Sequence, residues 1–255
     1  RKKLEERTSK KTELKEPSVI KPGVKYSFLG KELAKKVHEY ILKNYQIPCI
    51  ENITYDSEEQ ITKGSNTFYV VAVNDYFRKN NLEIRTATQA NLEEILKVKA
   101  LKLKYHYEDT GLVLRSEGNP NKYLVKHLIK QVKERLGIKL QLPLMMPLYG
   151  LEITKDSNSL HRLVFNLTDQ AELIYAPILN QNSGDFLSED IDEKTGLTVR
   201  LDKGNRHLYT SSNKSGLSRF YLTTSLNAYS GNEVLANSYD YGRVVLVSPE
   251  GAALK

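Results

Sequence analysis

Few residues in this 255-residue chain are spaced for chemistry. Asp109-Thr110-Gly111 supplies a carboxylate of the kind that two-aspartate hydrolases use in pairs, one proton shared between two. The tripeptide occurs once, and Tyr107 and Glu108 precede it where apolar strand residues belong. Asp and Gly supply turn geometry, so a hairpin turn is expected over 108–111. A dimer would be needed to pair two copies. His38-Glu39 begins a zinc-peptidase pattern, but the second ligand position is Leu42, and the pattern fails. His106 and Glu108 share a face if the segment is a strand. With Asp109 and either His161 or His207 they would make a metal set, but nothing in the spacing joins them.

The other candidates read as loops. Asp185, Glu189, Asp190, Asp192 and Glu193 form one acidic cluster, with Gly196 one position late for a calcium loop and no closing Glu. Ser211 and Lys214 have a nucleophile–base spacing but lie among Thr, Ser, Asn and Gly. Cys49 sits in an apolar run and reads as a small buried hydrophobe. No glycine-rich phosphate loop follows a strand. No cofactor and no metal is expected. The triplets at Asn52, Asn166 and Asn213 carry meaning only in a secreted protein.

Charge is the stronger signal. Residues 1–150 hold 28 Lys and Arg against 18 Asp and Glu, a net of +10, while residues 151–255 hold 10 against 13, a net of −3. Lys122, Lys126, Lys130 and Lys133 recur at spacings of 4, 4 and 3, one narrow stripe of a helix. Lys102 and Lys104 alternate with Leu101, Leu103 and Tyr105, a half-buried strand with a basic outer row. The hairpin turn would bring the two sets onto one surface. Tyr105, Tyr107 and Tyr123 interleave with them, and lysines on phosphate with tyrosines on bases suit nucleic acid. The expected contact residues are Lys102, Lys104, Lys122, Lys126, Lys130, Lys133, Tyr105 and Tyr123. No established nucleic-acid motif accompanies them.

These residues need elements to position them. Leu33, Val37, Ile41 and Tyr45 predict a helix over 31–45. Thr67–Val73 is a gapless β-branched and aromatic run and predicts a buried strand. Leu82–Thr86 reads as a short strand, and Thr86 with Gln89 as the capping box of a helix bearing Leu92, Ile95 and Leu96. Asn119, Pro120 and Gly137 bracket the best helix, with Leu124, Val125, Leu128, Ile129, Val132 and Leu136 as its apolar arc. Leu144–Met146 between two prolines reads as a crossing segment. Beyond Tyr149 the helical period ends. Leu151–Thr154 and Leu163–Leu167 flank a turn, and 172–178, 198–201, 208–209 and 220–222 are further strands. Residues 180–193 read as a long loop. Val244–Val247 is the strongest strand of this half, expected in a central position with both faces covered.

The fold class expected is α+β, a helix-containing α/β N-terminal part followed by a mainly antiparallel β C-terminal part. Residues 1–23 read as a flexible charged tail, 24–148 as the basic α/β part, and 149–255 as the antiparallel β part; the alternative is that 149–255 forms one continuous domain with 24–148. No run of 18 apolar residues is present, so no membrane partner is expected. A single cysteine favours a reducing, cytoplasmic setting. The chain begins with Arg1, which points to a fragment or processed product. The leading function is a non-enzymatic binding protein whose basic half contacts nucleic acid. The alternatives are an assembly protein that uses its Tyr/Asn/Ser-rich β half for protein contacts, and a hydrolase with an unrecognised site.

Overall fold

Periodic apolar spacing in the first half and alternation in the second resolve into helices packed on antiparallel sheets, an α+β fold. The computed structural model describes residues 23–249 apart from 46, 47, 52, 138 and 139. Residues 1–22 of the expected tail and the triplet at Asn52 lie outside the described residues. In chain order the elements are β1 (Val24–Phe28), α1 (Lys31–Asn44), α2 (Pro48–Glu51), β2 (Thr54–Asp56), β3 (Ile61–Lys63), α3 (Thr67–Lys79), β4 (Arg85–Thr86), α4 (Gln89–Val98), β5 (Tyr107–Leu114) and α5 (Lys122–Leu136). Strands then dominate: β6 (Leu144–Pro147), β7 (Leu151–Lys155), β8 (Leu163–Leu167), β9 (Ile174–Tyr175), β10 (Gly184–Phe186), β11 (Arg206–Tyr209), β12 (Leu217–Leu222), β13 (Ala228–Asn232), β14 (Gly242–Arg243) and β15 (Val245–Pro249).

The main sheet runs β10-β11-β13-β12-β5-β6-β9, with β14 added in parallel beside β5. It takes strands from both sides of residue 148. A second sheet, β1-β15-β4, holds Val245–Val247 of the run in its middle strand, and these three residues and Val244 before them are buried. The hairpin β7-β8 forms as expected. Helices α1, α3 and α5 bury their stripes in one core with Leu112 and Leu114 of β5. The opposite face of the main sheet, including Val113, Phe220 and Leu208, packs a second core against Ile178, Leu179 and Phe186.

Three expectations change. Thr67–Val73 is not a strand but the start of α3, buried from Thr67 to Asp75. A run that is apolar all round suits a fully buried helix as well as a buried strand, and β-branching alone does not separate them. Asn66 settles the matter locally: its side chain accepts from Tyr69 N (2.9 Å) as the N-cap. Residues 108–111 are not a turn but the middle of the fully buried strand β5. Residues 101–106 form no strand; Tyr105 has φ 78°, and its amide donates to Thr224 O.

Smaller shifts concern caps. The capping box of α4 is Thr88 with Asn91, two residues beyond the expected pair. Helix α5 begins at Lys122, and Asn121 spends its side-chain amide on Leu217 O and Glu233 O, tying the helix to the main sheet. Leu144–Met146 is strand β6, antiparallel to β5. The expected loop 180–193 contains β10, and the expected strand 198–201 reduces to one bridge, Ile191 to Thr198.

Candidate functional site

Strand β5 owes its position to two arrangements of polar residues. Thr110 Oγ1 lies 3.3 Å from both Gln89 Oε1 and Phe220 O. Asp109 meets Arg219, 110 residues away: Nη2 donates to Oδ2 at 2.8 Å, and Nε sits 2.7 Å from Oδ1. Ser65 Oγ, beside the N-terminus of α3, lies 3.5 Å from the same Oδ2. Burial pushes the Asp109 carboxyl upward, and the Arg219 charge opposes that rise. A helix N-terminus also favours the ionised form. The register shifts where Phe220 opposes Gly111 and Tyr221 opposes Asp109. The extra residue at this bulge is Thr110 of β5, and skipping it puts Asp109 on the face that carries Arg219 and Tyr221.

From this pair a row of aromatic rings crosses four adjacent strands. Tyr107 of β5 meets Tyr221 of β12 edge to face, with centroids 6.0 Å apart. Tyr221 stacks on Tyr229 of β13 at 5.2 Å, Tyr229 on Tyr209 of β11 at 5.0 Å, and Tyr209 meets His207 at 4.4 Å. In the other direction Tyr107 meets Tyr241 at 5.5 Å, and Tyr241 stacks on Tyr239. The inner rings share their faces with one another, as cross-strand pairs do. Tyr209, Tyr239 and Tyr241 are exposed. The Arg219 guanidinium lies 4.5 Å from the Tyr221 centroid and 5.2 Å from that of Tyr107, so its charge is met by two rings and a carboxylate.

Between Tyr221 and the Tyr239–Tyr241 segment the row opens into a cleft of about 140 Å³. Tyr107 and Arg219 line it from the sheet; Thr223, Thr224, Asn232 and Asn237 add hydroxyls and amides. Burial raises the Tyr107 and Tyr221 phenols, so both are neutral donors at ordinary pH. The segment that carries Tyr239 and Tyr241 is held from below. Tyr107 Oη donates to Ser65 O (2.6 Å) and accepts from Tyr239 N (2.9 Å). Arg219 Nη1 donates to Asn237 O, and Asn66 Nδ2 to Ala236 O. Gly242 is required here: a Cβ would lie 2.5 Å from the Tyr107 ring and 2.7 Å from Ser65 N.

The opposite face of β5 carries Glu108, buried, with neither carboxyl oxygen hydrogen-bonded. Burial raises this carboxyl well above the ordinary range, the neighbouring Asp109 adds to the rise, and Arg243 opposes it.

The residues expected to meet nucleic acid divide into two groups. Lys122, Lys126, Lys130 and Lys133 are exposed on α5, with Lys133 paired to Glu117 at 2.7 Å. Tyr123 lies beside them and donates to Asp156 (2.7 Å). Lys102, Lys104 and Tyr105 sit at the opposite end of β5, about 23 Å along an eight-residue strand. No hairpin joins the two sets. Tyr105 is instead tied to Thr224 at the cleft, with the Lys104 ammonium 5.2 Å from its ring centroid.

The metal candidates do not converge. His38 is buried against Tyr69, His161 packs on Phe68, and His207 lies 2.6 Å from Asp185. The acidic cluster disperses: Asp190 pairs with Arg200, Glu193 with Lys97, and Asp192 accepts from Thr195. Among the described residues no group of three metal-ligating side chains forms. Ser211 Oγ contacts Ser215 Oγ at 2.8 Å, and Cys49 packs at the edge of the main core.

Sequence reasoning passed over Arg219, Tyr221, Asn232, Tyr239 and Tyr241. Tyrosines at 107, 209, 221, 229, 239 and 241 were a visible signal, but their convergence depends on strand order. No family model, no curated protein and no solved structure matches this chain.

Proposed function

We propose that the chain is a non-enzymatic binding protein for single-stranded nucleic acid and that the tyrosine cleft takes one base. The observation that carries this is the cleft itself: four tyrosines around about 140 Å³, with Arg219 as the only cationic lining residue and that charge already met by Asp109. Uncharged rings, amides and hydroxyls suit a flat neutral ring with hydrogen-bonding edges, which is what an unstacked base offers. The volume is well below that of a typical small-molecule site, so one ring enters and the backbone stays outside. In this reading Lys104 and Lys102 meet phosphates, close in sequence to Tyr105, whose amide donates to Thr224 at the cleft. The α5 lysines enter the proposal as a second, electrostatic contact.

The test is fluorescence anisotropy of labelled single-stranded oligonucleotides across a salt series. Tyr241→Ala is expected to weaken binding by about 1–3 kcal/mol, the worth of one base–aromatic stack. Replacing Lys102 and Lys104 by Gln is expected to lower the slope of affinity against salt. Saturable, salt-independent binding of a neutral oligosaccharide in place of oligonucleotide would overturn the assignment, as would the absence of oligonucleotide binding at low salt.

A further inference from the structure

A second and larger concavity lies between α4 and residues 188–193, away from the tyrosine cleft. Its volume is about 740 Å³, within the range of small-molecule sites. Along α4, Ala90, Glu93, Glu94 and Lys97 face it, one helical face by their spacing. At its base Glu93 and Arg206 are bound at both oxygens, with Nη2 2.8 Å from Oε1, and their side chains are 9 % and 8 % exposed. Gln89 Nε2 adds a third bond to Glu93, and the Arg206 guanidinium lies 4.9 Å from the Phe186 centroid. This floor is rigid and its charges are satisfied.

The walls are different. Glu94 and Glu189 line the groove and make no ion pair among the described residues. Glu193 reaches across to Lys97 at 2.7 Å, but both side chains are mostly exposed, so this pair is weak and exchangeable. Leu96, Val98 and Ile191 supply an apolar surface, and Val98 is 57 % exposed. Four carboxylates against two cations leave a net negative site beside uncovered apolar side chains.

We infer that this groove is a binding site for a small organic cation, a guanidinium, amidinium or ammonium group on an apolar body. The cationic head meets Glu94 and Glu189, and the apolar body covers Leu96, Val98 and Ile191. The inference is independent of the tyrosine cleft and stands whether or not that cleft takes a base. The probe is benzamidine, with uncharged benzamide as its control, titrated into the isotope-labelled full chain and followed by amide NMR shifts. Benzamidine is expected to give saturable shifts confined to 90–98 and 188–193. The Glu94→Gln/Glu189→Gln variant, which changes one half-buried and one exposed carboxylate that make no salt bridge among the described residues, is expected to raise its Kd at least tenfold, and Tyr241→Ala to leave it unchanged. Equal response to benzamide, an unchanged Kd in the double variant, or no saturable shift with benzamidine would each overturn the inference. Binding of a lysine-rich peptide without benzamidine would overturn it too, by making the groove a protein-docking surface.

Discussion

Glu108 and Asp109 are neighbours on one buried strand and have met opposite fates. Asp109 faces Arg219 and the start of α3, and its carboxylate is ion-paired with the Arg219 guanidinium, which donates to Oδ2. Glu108 lies on the opposite face, with Leu222 and Arg243 as its cross-strand neighbours, and neither carboxyl oxygen has a hydrogen bond. A buried charge is tolerated when it is paired and hydrogen-bonded, and a buried carboxyl without a partner keeps its proton instead. One peptide unit thus separates a paired carboxyl that organises a site from an unpaired one that organises nothing. Paired polar groups also hold the tyrosine cleft, since Arg219 anchors Asn237 while it neutralises Asp109.

The contrast breaks most severely at Arg219. Arg219→Met leaves Asp109 buried without its cation and releases Asn237, and is expected to cost about 3–5 kcal/mol of stability in urea unfolding at neutral pH. A cost near zero would mean that the pair is dispensable and that the cleft rests on the tyrosines alone.

Glu108 sharpens the contrast through pH. A carboxyl whose pKa is raised on folding holds its proton more firmly in the folded state. Its contribution is complete below the ordinary glutamate value of 4.5 and is lost as pH rises through the raised value. The chain should therefore lose stability upward from about pH 4.5, by up to about 1.4 kcal/mol per pH unit for this one proton. Glu108→Gln should remove that slope and unfold at higher urea than the parent at pH 8. An unchanged slope would show that Glu108 finds a partner when it ionises.

The smallest effect belongs to the exposed charges. Replacing Lys122, Lys126, Lys130 and Lys133 by Gln should change unfolding by under about 0.5 kcal/mol. If these lysines meet phosphate, the same variant should bind oligonucleotide more weakly and with a flatter salt slope. Binding identical to the parent would confine the contact to Lys102, Lys104 and the cleft.

What could be read in advance follows the range of the forces involved. Helices α1 and α5 and the hairpin β7-β8 were legible because their apolar spacing and breakers are local. The Val244–Val247 run announced a covered middle strand for the same reason. Strand β5 was misread because Glu-Asp-Thr-Gly is turn-like until Arg219 supplies a partner for Asp109, and that partner is far along the chain. Helix α3 was misread because its apolar residues face every direction, and periodicity then carries no phase. The cleft lay beyond local inspection: its tyrosines meet through strand order β11-β13-β12-β5, which no single segment encodes.

The pairing of β1 with β15 joins the first and last described strands, Val24 opposite Pro249. The cleft shares this character, since Tyr107 waits for Tyr239 and Tyr241, and Ser65 for the same return of the chain. A nascent chain therefore cannot assemble the site as it leaves the ribosome. Helix α3 would emerge apolar on all sides, with β14 and β15 still unmade, and such long-range closure is slow and leaves surface exposed while it waits. The tyrosine cleft therefore forms only after residues 239–241 have been made and β12 has paired with β5, so its presence reports that these distant segments have closed.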